Sequence, residues 1–176
     1  KKGYLVSKAE SKKSLEYIHK NLLKYLNKII KRKKISDFNK IHKFIDNKNI
    51  NEFKLKILNY MSKDKKFRYH YFNLGRNSLY ALVGNELMMQ KTVNLSIQLP
   101  MDNPSLLPIH SDVWSGDSEF EINMWLPLVN CYKSKSMYIL EQKNYYYFLK
   151  VMKKKVSNSD EIFNKIKSKL KWINIK

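Results

Sequence analysis

The stretch KTVNLSIQLPMDNPSLLPIHSDVWSGDSEFEINMWLPLV, Lys91–Val129, decides how the chain is read. In its first third Val93, Leu95, Ile97 and Leu99 alternate with Thr92, Asn94, Ser96 and Gln98. A period of two puts the apolar set on one face of a strand and the polar set on the other. Pro100 and the MDNPS segment read as a turn. LLPIHSD and the loop VWSGDSE follow, and FEINMWLPLV reads as a second strand. A turn near 130–135 leads to a short third strand, SMYIL. Strands this close together, without crossover helices between them, predict an antiparallel sheet.

Outward from this core the pattern becomes helical. Ser7 and Glu10 have capping-box spacing, and Leu15, Ile18, Leu22, Leu26 and Ile29 recur at helical intervals. The cluster KRKK at 31–34 ends that helix. A short amphipathic piece covers Asp37–Ile45 with Phe38, Ile41 and Ile45 on one side; another after Asn51 carries Phe53, Ile57, Leu58 and Met61. Lys63–Lys66 form a charged connection. Beyond Gln142, NYYYFLKVMKKK and DEIFNKIKSKLK read as two more helices, the second capped by Ser159 or Asp160. WINIK reads as the start of a strand. There are no internal repeats and no Gly/Ser linker, so the expectation is an α+β chain forming one domain overall.

Composition narrows the classes. A length of 176 residues suffices for one domain with a real core, and 43% hydrophobic residues with 12 Tyr and 8 Phe exclude general disorder. No run approaches the roughly 18 uninterrupted apolar residues of a membrane helix. The stretch KKGYLVSKAESKK lacks an apolar signal region. The single cysteine, Cys131, makes no internal disulfide, which fits a cytoplasmic protein.

The formal net charge is +20, but of 35 basic residues only Arg32, Arg68 and Arg76 are arginines. Bidentate reading of phosphates and guanines favours Arg over Lys. The lysines therefore read as solvated surface able to steer anionic substrates, with no nucleic-acid or membrane partner expected. A Lys-rich polyanion-binding protein stands as an alternative.

His110 and Asp112 stand two residues apart directly after the alternating run. On extended chain, residues i and i+2 project the same way, so both can aim at one ion while Ser111 turns away. With 4 His and 15 acidic residues in 176, such a pair arises by chance in about one chain in three. A loop histidine hydrogen-bonded to its neighbour explains the spacing equally well. His19 and His42 fall inside helical segments as surface or packing residues. His70, in the aromatic, strand-like FRYHYF, has a better chance of facing a pocket.

The segments LPIHSDVWSG, WLPLVN and KSMYIL give residues 93–140 a resemblance to the 2-oxoglutarate/Fe(II)-dependent oxygenases of the phytanoyl-CoA dioxygenase type. The run looks closest to a group from bacterial carbohydrate-biosynthesis clusters. The resemblance implies an incomplete double-stranded β-helix, or jelly-roll. Its helical region would cover 1–66, and the partial oxygenase core, with a helical extension near its end, 67–176.

It further implies His110 and Asp112 as iron ligands, with Fe(II) as metal and 2-oxoglutarate as cosubstrate. Asn94 and Gln98 would contact the 2-oxoglutarate, and Trp114 the substrate, a small molecule such as a sugar or nucleotide-sugar. A second His would complete the facial donor set of such iron sites. The family pattern also needs a basic group downstream, yet no His follows His110 and no Arg follows Arg76. With Lys1 rather than Met in first place, the expectation is an inactive fragment of the enzyme. A non-catalytic jelly-roll binding module is the rival.

Overall fold

A computed structural model describes residues 2–31, 34–102, 107–132, 135–154 and 158–175. Arg32 and Lys33 of the KRKK cluster, Asn103, Pro104 and Ser105 of the MDNPS turn, and Lys133 and Ser134 lie outside the described residues. The chain divides into two compact units: a helical unit, Lys8–Pro104, and a mixed unit formed by Lys1–Ser7 and Ser105–Lys176. Helix therefore continues beyond residue 66, and the division falls between 104 and 105.

In the helical unit, α1 (Lys12–Ile30) opens at Ser11, whose hydroxyl accepts the Ser14 N–H at 3.2 Å. The expected capping box of Ser7 with Glu10 is not what starts it. Glu10 has a stronger use elsewhere: its carboxylate accepts the backbone N–H groups of Asn77 at 2.7 Å and Ser78 at 2.8 Å. These are the unsatisfied donors at the start of α4 (Arg76–Val83). Hydrogen bonds from Ser78 and Asn77 hold the Glu10 pKa below its ordinary value.

The α1 stripe buries Ile18, Leu22, Tyr25 and Leu26, facing Ile50, Phe53, Ile57 and Met61 of α2 (Ile50–Lys63). Each such side chain contributes about 1.5–3 kcal/mol when fully buried. At the end of α1, Asn27 accepts the Ile35 N–H and donates to the Ile35 carbonyl, clamping the returning chain. Asp37–Ile45 forms a 3₁₀ turn over Phe38–Lys43, capped by Asp37 through the Asn39 N–H.

FRYHYF is helix α3 (Phe67–Phe72), a correction to the strand-like reading. Its aromatic content favours strand, but Phe67 and His70 are three apart and both bury on one helical face against α1. Packing overrides propensity here. His19 lies edge-on to Phe38 at 4.9 Å, and His42 is exposed.

Asp64, just past α2, is the polar hub of this unit. It accepts the hydroxyls of Tyr25 at 2.6 Å and Tyr17 at 2.9 Å, and the Lys66 N–H at 3.1 Å. Partial burial works to raise its pKa, but hydrogen bonds from Tyr25, Tyr17 and the Lys66 amide outweigh it, and Asp64 titrates below its ordinary range. Desolvation and the same carboxylate push the Tyr17 phenol up to about 12 and Tyr25 up as well.

Segment 93–99 keeps the alternation without the ladder. Val93 and Leu99 are buried while Thr92, Asn94, Ser96 and Gln98 are exposed, yet the segment joins no sheet among the described residues. The same correction applies to FEINMWLPLV, which runs unladdered into a bend at 128–129. Pro127 has no N–H to give a neighbouring strand, and Phe120 is 84% exposed.

Among the described residues the antiparallel sheet of the mixed unit has two strands, β1 (Met137–Leu140) and β2 (Leu170–Ile173). Tyr138 faces Trp172 across the ladder, rings edge-on at 5.2 Å, and Phe163 leans on Tyr138 at 5.3 Å. A bridge between Cys131 and Ile175, two 2.8 Å bonds, extends the pairing. Between the strands lie α5 (Tyr145–Met152) and α6 (Ser159–Ile166). The cap of α6 is Asn158 rather than Ser159 or Asp160; its side chain accepts the Glu161 N–H at 2.9 Å. Cys131, Val151, Ile166 and Ile173 form the buried centre of this unit. The fold is thus mixed, helices with a small antiparallel sheet. No helix among the described residues is long and apolar enough to cross a membrane.

Candidate functional site: the His110–Asp112 pair

His110 follows Pro108 and a bend at Ile109. Its Nδ1 lies 2.7 Å from the Pro108 carbonyl oxygen. A carbonyl can only accept, so Nδ1 carries a hydrogen and Nε2 is the ring nitrogen left to face Asp112. Ser111 is extended (φ −125°, ψ 138°), and Asp112 opens a 3₁₀ turn over Asp112–Ser115. Gly116 closes that turn at φ 95°, a left-handed conformation that glycine adopts without strain, and donates back to the Asp112 and Val113 carbonyls.

This geometry brings the two side chains to the same side. His110 Nε2 stands 3.5 Å from Asp112 Oδ1, and the side chains are 45% and 44% exposed. At that separation the pair makes no tight hydrogen bond with itself. The other carboxylate oxygen, Oδ2, accepts the Asn123 side-chain amide at 2.5 Å. Each member thus has one atom anchored by the chain and one atom presented. Two ligands in adjacent positions around an ion about 2.1 Å from each donor stand about 3.0–3.4 Å apart. At 3.5 Å, Nε2 and Oδ1 stand just beyond that range and would draw slightly together on an ion.

Trp114, on the same turn, is 50% exposed and stacks on Phe148 of α5 at 5.9 Å, with 16° between the rings. Tyr145 continues the row, 6.4 Å from Phe148. Around the pair the local charge reverses that of the chain: residues 107–132 hold Asp112, Asp117, Glu119 and Glu121 and no Lys or Arg.

Asn94 and Gln98 belong to the helical unit, on the exposed side of segment 93–99. Among the described residues no three His, Cys, Asp or Glu side chains gather closely enough to hold an ion. Sequence spacing pointed to the pair but not to its two supports. Asn123 reads as one polar position of an expected strand, and a backbone carbonyl leaves no residue signal at all.

Comparison with protein-family models, curated proteins and solved structures returns no match.

Proposed function

We propose that His110 Nε2 and Asp112 Oδ1 are two of the protein donors to Fe(II) in a 2-oxoglutarate-dependent oxygenase site, carried on part of a jelly-roll. One observation carries this reading: the two presented atoms converge at 3.5 Å, each on a side chain held by a support typical of metal ligands. Fe(II) with 2-oxoglutarate supplies oxidation by O2, with release of succinate and CO2. The chain's own part is orientation. Pro108 keeps the proton at Nδ1, and Asn123 holds Asp112 to a single presented oxygen. Trp114 on Phe148 offers a flat apolar face of the kind that receives the face of a sugar ring. A complete site takes a third donor and a cation for the far carboxylate of 2-oxoglutarate. No third donor lies near the pair among the described residues, so turnover belongs to a chain that supplies it.

The test uses Mn(II) as a paramagnetic stand-in and the imidazole NMR signals of the four histidines. Substoichiometric Mn(II) should broaden His110 before His19, His42 or His70. Asp112→Asn should abolish that preference, and Asn123→Ala should weaken it about tenfold, the lower end of the effect of losing such a support. Broadening of exposed His42 as strong as that of His110 refutes the assignment.

The stacked Trp114 also favours a second reading, a metal-free module that binds sugars on the same aromatic face. In that case Mn(II) leaves His110 untouched while an oligosaccharide quenches Trp114 fluorescence.

A further inference from the structure

A recess of about 380 Å³ opens on the helical unit between the start of α1, α3 and the start of α4. Its lining includes Lys13, Ser14, Tyr69, His70, Asn73 and Arg76. His70 is only 9% exposed, stacked on Tyr17 at 3.9 Å. Its Nδ1 lies 3.1 Å from Ser14 Oγ. Ser14 Oγ already accepts the Ser11 hydroxyl at 3.0 Å, so its own hydrogen is left for His70 Nδ1. In the neutral ring the proton then sits on Nε2, which no described protein group hydrogen-bonds and which is not sealed from solvent.

Two cations line the recess beside this donor without an ion-pair partner among the described residues. Lys13 makes no ion pair among the described residues, and Arg76 rests on the Tyr80 ring at 5.3 Å. The carboxylate that lines the same recess, Glu10, is already committed. Its Oε2 takes the Asn77 N–H, and its Oε1 takes the N–H and hydroxyl of Ser78. Glu10 thus neutralises the α4 start rather than Lys13 or Arg76, and the recess keeps a surplus of one positive charge.

We propose that this recess binds a phosphate-type oxyanion, free or as the phosphate of a small ester, through the His70 Nε2–H, the Lys13 ammonium and the Arg76 guanidinium. Three donors of different shape on separate elements suit a tetrahedral anion with oxygens on several sides; a planar carboxylate presents only two. Burial lowers the His70 pKa, which keeps the ring a neutral donor at physiological pH. This site is independent of the iron reading and survives its failure.

The experiment follows the His70 ring by NMR while inorganic phosphate is added at constant ionic strength. A saturable shift of His70 is expected, together with a rise in its pKa as the anion favours the protonated ring. Lys13→Gln and Arg76→Gln, both on exposed side chains, should each weaken binding about tenfold. Lys48→Gln removes the same charge from elsewhere on the unit and should leave affinity unchanged. A linear, unsaturated response overturns the proposal, as does equal loss in Lys48→Gln or equally tight binding of acetate.

Discussion

Replacing Asp64 by Asn removes the charge on which three donors of the helical unit converge. The Tyr25 hydroxyl sits at 2.6 Å, that of Tyr17 at 2.9 Å and the Lys66 amide at 3.1 Å. Hydrogen bonds to a charged group contribute about 1.5–3 kcal/mol each. Asp64 is only partly withdrawn from water, which discounts that figure. Asn keeps one acceptor oxygen but sets an NH2 group where a tyrosine hydroxyl now donates. The expected loss is about 2–4 kcal/mol, read as a lower urea midpoint at unchanged slope.

A cycle with Tyr25→Phe should show a coupling of about 1–2 kcal/mol, since the two groups share one short bond. The pH dependence carries a second signature. Asp64 is depressed in the fold, so its contribution is complete above the unfolded value of about 3.9 and fades as pH falls through the folded one. Tyr17 is raised to about 12 and Tyr25 is raised too, so folded protein holds protons that unfolded chain has released. Their contribution is complete below about pH 10 and drains away as pH rises through the folded values, about 12 for Tyr17 and higher for Tyr25. Both slopes should flatten in Asp64→Asn. A midpoint shift worth less than about 0.5 kcal/mol, or strict additivity with Tyr25→Phe, refutes the hub.

Other outcomes follow from single contacts. Ile57→Ala, at a fully buried site facing α1, should cost about 2–5 kcal/mol in the helical unit by chemical denaturation. Asn158→Ala should cost about 1 kcal/mol of the mixed unit, seen as lost amide protection in the first turn of α6. Glu10→Ala should speed hydrogen exchange at Asn77 and Ser78; in the native protein that protection should decline in acid, since the depressed Glu10 contributes only while ionised. Gly116→Ala meets open space but a φ of 95°, so it should destabilise the Asp112 turn and loosen the His110–Asp112 pair, read as a shifted His110 ring signal.

What the sequence revealed depended on the range of the interaction concerned. The α1 stripe, the helical pieces after Gln142 and the strands at SMYIL and WINIK are local patterns and each is present, although α6 stops at Ile166 and the last strand starts at Leu170, inside the stretch expected as helix. The partner of a strand is not local. Segment 93–99 has the alternation of a half-buried strand and buries its apolar side, but alternation cannot say whether a neighbour will take its N–H groups. Helix α4 went unread because its N-terminal acceptor is Glu10, 67 residues earlier in the chain. At the candidate site, the i, i+2 spacing of His110 and Asp112 was visible, whereas Asn123 and the Pro108 carbonyl needed coordinates. His70 was singled out for its aromatic surroundings; that its ring is the floor of a recess depends on Ser14, 56 residues away.

The division of the chain has a bearing on its synthesis. Lys8–Pro104 is one uninterrupted stretch and can condense while the ribosome is still at work. The first seven residues have no such opportunity. Tyr4 finds its hydroxyl partner in Glu141, 137 positions later, and β1 has no strand beside it until Leu170–Ile173 emerges. During that interval Cys131, Val151 and Ile166, buried in the finished unit, have no complete core to join. Crowded nascent chains should therefore associate through the late half first, and slower translation past residue 105 would lengthen that exposure.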